Sequence, residues 1–167
     1  METITITADG KKEKYAELYP QIAALVEDES DLTANMANVS AALKSTFSSY
    51  SWVGFYRVVN GELVLGPFQG KVACVRIKIG SGVCGTAVKE RKTIIVPDVE
   101  KFPGHIACDP ESKSEIVVPL LAGSRIFGVI DVDSNHLNSF DGTDKVQLER
   151  IAEIITKKFV QSPQGTN

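Results

Sequence analysis

The chain has 167 residues, 43% of them hydrophobic and 23% charged, with a net charge of −3. That length suits one domain able to bury a core without staples. The mild charge argues against a nucleic-acid footprint, which needs a clustered basic face, and no segment approaches the ~18–20 apolar residues that span a bilayer. The N-terminus, METITITADGKKEKY, lacks the basic-then-apolar order of a signal peptide, so we expect a cytoplasmic protein. Residues 11 to 27 carry Tyr15, Leu18, Ile22 and Leu25 at helical spacing, with Pro20 splitting or kinking the helix. A second helix is predicted from Asp31 to Phe47, capped by Asp31, with Met36, Val39, Leu43 and Phe47 on one face.

From Ser51 the texture changes. WVGFYRVV is aromatic and β-branched, NG at 60–61 signals a hairpin, and ELVLGPF returns. ACVRIKI alternates, which predicts a strand with Ala73, Val75, Ile77 and Ile79 on one face and Cys74 on the more polar one. GSGVCGTAVKERK is glycine-rich, then helical. TIIVPDV is a short strand, residues 98–114 form a long polar loop, and EIVVPLL and RIFGVIDVDS are two further strands. DGTDKVQLERIAEIITKKF closes the domain as an amphipathic helix, with Val146, Ile151, Ile154 and Ile155 expected to face the core. The order predicts an α+β domain: a central antiparallel sheet of about six strands, terminal helices packed on one face and loops on the other. Residues 1–160 form a single domain in this reading, and 161–167 a flexible tail.

The three cysteines, Cys74, Cys84 and Cys108, form an odd count without a C-x-x-C, which speaks against a structural disulfide framework. A zinc set drawn from Cys74, Cys84, Cys108 and His105 lacks any supporting local spacing, so no metal is expected. Cys108 lies in the long loop, HIACDPES. His105 and Lys113 would favour its thiolate, while Asp109 and Glu111 would oppose it. Cys84 sits at a predicted helix start, where the dipole lowers a thiol pKa, and on that argument it is the better nucleophile. A small residue packed between glycines is the plain alternative.

Glu115, Asp131 and Asp133 flank apolar strand segments, and Asp131 and Asp133, two apart, point to one side. Solvent-facing acids are the commoner case. Gathered in a dry pocket, such acids repel, their pKa values rise, and they could hold an ammonium group or lend a proton. Trp52 and Tyr56 share strand parity. They are either core or an aromatic wall for a small apolar group.

Together these stretches closely resemble the free methionine-R-sulfoxide reductases, small proteins with a GAF fold. The resemblance runs from Tyr50 to about Ile155, roughly two thirds of the chain, through SWVGFYRV, LGPFQGKVACVRIKIGSGVCGTAV, VPDVEKFPGHIACDPESKSEIVVPL and FGVIDVDSNHLNSFDGTD. It implies reduction of the R epimer of free methionine sulfoxide with no cofactor. By resemblance, Cys108 is the nucleophile, Cys74 resolves its sulfenic acid, Cys84 is an alternative partner, and thioredoxin restores the thiols. Glu115 and Asp133 would stand nearest the sulfoxide oxygen, with Asp131 helping to hold the ammonium group. Trp52 would wall the methyl group, with Tyr56 nearby. An exposed helix face of the kind that pairs in such domains leads us to expect a homodimer. The rival reading is a non-catalytic GAF module that senses a small ligand or redox state, because fold does not imply function.

Overall fold

Every strand pairing in the sheet is antiparallel, and chain order largely dictates neighbours. A computed structural model describes residues 3–106 and 109–162. Helices α1 (Lys11–Glu27) and α2 (Leu32–Thr46) precede strands β1 (Trp52–Val59), β2 (Glu62–Gln69) and β3 (Arg76–Lys78). Helix α3 (Gly82–Glu90), strand β4 (Ile94–Val96), a 3-10 turn (Val99–Lys101), strands β5 (Ser114–Ala122) and β6 (Arg125–Ser134), and helix α4 (Gly142–Gln161) follow. The sheet runs β3-β2-β1-β6-β5-β4. Asn60 (φ 51°) and Gly61 (φ 79°) both take positive φ, as the predicted two-residue hairpin between β1 and β2 requires.

Helices α1, α2 and α4 cover one face. There Phe55, Ile116, Val118, Ile130 and Val132 of the sheet meet Leu18, Ile22, Leu43, Leu148 and Ile155. The other face carries a second apolar cluster under α3, built on Trp52, Tyr56, Val117 and Val129. The central strands are thus buried on both sides, and this double cover is what buries acids on β5 and β6. A polar knot fixes the helical layer to the start of β1. Tyr15 Oη and Tyr50 Oη lie 2.5 Å apart, Tyr50 donates to Asp144 Oδ1 (3.0 Å), and Lys11 Nζ bonds Asp144 Oδ2 (2.5 Å).

Several local expectations shift. α1 runs unbroken through Pro20, which is exposed, as is Ala16, whose carbonyl loses its helical donor to the proline. Water can satisfy that carbonyl. Val26, rather than Leu25, completes the buried stripe of α1. β3 is only three residues long, paired with Glu62 to Val64, so Cys74 lies in the loop before it rather than on a strand face. Val75, expected inward, is 65% exposed. Val146 is 53% exposed, because it lies about 200° around the helix from Leu148, on the far side of the buried stripe. α4 runs through Gln161, one residue into the expected tail, and residues 163–167 lie outside the described ones. No helix among the described residues is long and apolar enough to cross a membrane.

Candidate active site

Strand register assembles the three acids. Asp133 on β6 pairs with Trp52 on β1 and with Glu115 on β5, and Asp131 pairs with Gly54 and Val117. With period-two alternation, Glu115, Asp131, Asp133, Trp52 and Tyr56 all face the α3 side. They line one cavity together with Cys84, Ser81, Gly82, Ala73, His105 and Ser112. Its volume is about 40 Å³, room for a few waters.

The acids are not solvent-facing. Glu115 is 6% and Asp131 7% exposed. Burial pushes both carboxyls well above the ordinary range, and neighbouring carboxylates push them further: Asp131 and Asp133 act on Glu115, and Asp133 acts on Asp131. Asp133 is pushed up to about 6 by burial. A hydrogen bond from Ser112 opposes this rise, and Asp109 adds to it. Ser112 Oγ donates to Asp133 Oδ1 at 2.6 Å. Among the described residues, Asp131 Oδ1 is buried without a hydrogen-bond partner. A buried acceptor left open is costly unless a ligand fills it, and an ammonium group would suit it.

Cys84 is the third residue of α3, as the dipole argument required. The helix dipole does not prevail there. The thiol is buried, and burial, then Asp131 and Glu115, push its pKa well up. A helix N-terminus supplies roughly 0.3–1 kcal/mol, too little against desolvation and two adjacent acids. Cys84 is free, and its Sγ and one oxygen each of Glu115 and Asp131 lie within 4.8 Å of one another. These three could by distance hold a cation, but the protonated thiol makes a poor ligand. Cys74 is disulfide-bonded, so the zinc set that includes it is not assembled as thiolates. Cys108 lies outside the described residues.

His105 Nε2 stands 3.9 Å from Glu115 Oε2, but burial lowers its pKa, so it brings no cation to the loop. Lys113 is engaged with Glu100. The aromatic residues form a stack. Trp52 lies 5.2 Å from Phe68 and 6.1 Å from Tyr56 between ring centroids. Gly54 and Gly70 make room for the indole, since a Cβ on either would come within 2.5 Å of it. Sequence reasoning missed Ser112 as a partner of Asp133, because twenty-one residues separate them and only the fold joins them. It also missed Lys71, which bridges the 70–75 loop to Asp109 and Glu111 in the long loop.

The chain matches the GAF domain family over residues 27–157. It is 55% identical over 155 residues to GAF domain-containing protein A of Dictyostelium discoideum, covering 92% of this chain and 98% of that protein. It is 45% identical over 164 residues to the free methionine-R-sulfoxide reductase of Escherichia coli, covering 93% and 99%. Its structure superposes on that of a free methionine-R-sulfoxide reductase from Neisseria meningitidis, solved in complex with its substrate, with a TM-score of 0.95 at 48% identity. That match covers 99% of this chain and all of the other.

Proposed function

The chain belongs to the free methionine-R-sulfoxide reductases of the GAF domain family, and from that premise we propose that it reduces free L-methionine-(R)-sulfoxide to methionine. The observation that carries the reading is the buried cluster of Glu115, Asp131 and Asp133 beside Trp52, with its pKa values raised. A sulfoxide oxygen leaves only when protonated, and carboxyls that keep their protons near neutral pH can supply one. The Cys108 thiolate attacks the sulfoxide sulfur as Glu115 or Asp133 protonates the oxygen. After a second protonation the oxygen leaves as water, giving a sulfonium joined to Cys108 by a new S–S bond. A water then adds to the Cys108 sulfur and releases a proton, the S–S bond breaks, methionine departs with that electron pair, and Cys108 is left as sulfenic acid. The substrate sulfur gains the two electrons that Cys108 loses. The Cys74 thiol then displaces water from the sulfenic acid, forming the disulfide, and thioredoxin's dithiol reduces it.

Asp131, with its open oxygen, takes the substrate ammonium group, and Trp52 walls the methyl group. A cavity holding a few waters is too small for a whole amino acid, so the site widens to admit the substrate and then closes around it. That closure disfavours sulfoxide within a polypeptide. The proposal includes a cytoplasmic location, where thioredoxin keeps thiols reduced, and a homodimer, which sedimentation equilibrium would read. The test is methionine formation from the free R-sulfoxide with dithiothreitol. Methionine no higher than with a Cys108→Ser control would favour a non-catalytic ligand or redox sensor.

A further inference from the structure

Trp52 and Tyr56 are expected to wall the substrate, yet both direct their polar atoms elsewhere. Trp52 Nε1 donates to the Lys71 carbonyl (3.0 Å), and Tyr56 Oη donates to the Cys74 carbonyl (2.9 Å). Both acceptors belong to the loop 70–75 between β2 and β3. In that loop Lys71, Val72 and Val75 are exposed, while Ala73 and Cys74 pack against the cluster under α3. Beyond the sheet, Leu65 N–H binds the Val75 carbonyl (3.0 Å). The anchors are themselves rigid. Trp52 is stacked on Phe68 and seated on Gly54 and Gly70, and Tyr56 is buried within the strand. Burial, then Asp131, raises the Tyr56 pKa, so the phenol keeps its proton. It has one proton, and gives it to Cys74, so it is not a donor to a sulfoxide oxygen.

We propose that Tyr56 is the positioning residue for the second chemical step: its hydroxyl holds the Cys74 backbone where the thiol meets the sulfenic acid, and the Trp52 indole N–H secures the same loop at Lys71. This rests on the reductase reading above. The step it governs is Cys108–SOH plus Cys74–SH giving the disulfide and water, with the sulfenic acid reduced and the Cys74 thiol oxidised. The same two rings face the cavity, so the wall of the substrate site and the support of the resolving cysteine are one structure.

The experiment is a single turnover of fully reduced protein with one equivalent of free methionine-R-sulfoxide in the presence of dimedone, which traps sulfenic acid. Mass spectrometry gives the trapped fraction of Cys108, normalised to methionine released. That ratio reads only the second step, whatever happens to the rate of the first. The unmodified protein should give mostly disulfide. In Tyr56→Phe the trapped fraction should rise about three- to tenfold, the worth of one net hydrogen bond. Trp52→Phe, an independent variant lacking the indole donor, should raise it too. Trapped fractions equal to the unmodified protein's in both variants overturn the proposal alone. No methionine from the unmodified protein overturns the reductase reading and this proposal with it.

Discussion

Replacing Asp133 by asparagine should make the protein more stable and less active, and the gain should depend on pH. Asp133 has an ordinary pKa of 3.8 and is pushed up to about 6 in the fold. Between those values the folded chain binds a proton that the unfolded chain has released. Stability therefore falls as pH rises from about 4 to about 6, and the full penalty stands above that window. At about 1.4 kcal/mol per pH unit, the penalty is about 3 kcal/mol. Asparagine cannot ionise, and its oxygen can still accept the Ser112 hydrogen bond. Glu115 and Asp131 also lose a like charge, which acts in the same direction. Asp133→Asn should thus exceed the parent by up to about 3 kcal/mol at about pH 8, with the gap closing toward about pH 4. Urea unfolding of both proteins across that range, with the cysteines kept oxidised, measures it. A variant less stable than its parent at about pH 8, or a gap that ignores pH, would refute the reasoning that burial raises this carboxyl's pKa.

Glu115→Gln should slow single-turnover methionine release by roughly 10²- to 10⁴-fold if Glu115 is the general acid, with thiol counts unchanged; an unaltered rate would remove it from that role. If Asp133 donates the proton instead, release should decline as pH rises through about 6, and Asp133→Asn should abolish that limb of a stopped-flow profile. Cys74→Ser should release about one methionine per enzyme and recycle poorly with thioredoxin. Near-normal coupled turnover would make Cys84 the resolving thiol. Gly54→Ala places a methyl 2.4 Å from both Trp52 Cη2 and Phe68 Cβ, and should cost about 1–3 kcal/mol in thermal or urea unfolding, with turnover falling as the indole is displaced. A melting point equal to the parent's would mean that the stack yields freely.

The order of elements, the 60–61 hairpin, the shared side of Trp52 and Tyr56 and the shared side of Asp131 and Asp133 were legible in the residues alone, because periodicity and turn chemistry are local properties. Nor does local sequence set where β3 begins, since the paired register with β2 covers only Glu62 to Val64 while the alternation in ACVRIKI starts three residues earlier. It misjudged Cys84 because a helix start is visible in one dimension, whereas the acids that oppose ionisation arrive from β5 and β6. It took the fold to show that three carboxyls separated in sequence are buried around one small cavity, that Ser112 bonds Asp133, and that Tyr56 donates to the Cys74 carbonyl. Desolvation and hydrogen bonding depend on what surrounds a side chain in space, and no local run of residues carries that information.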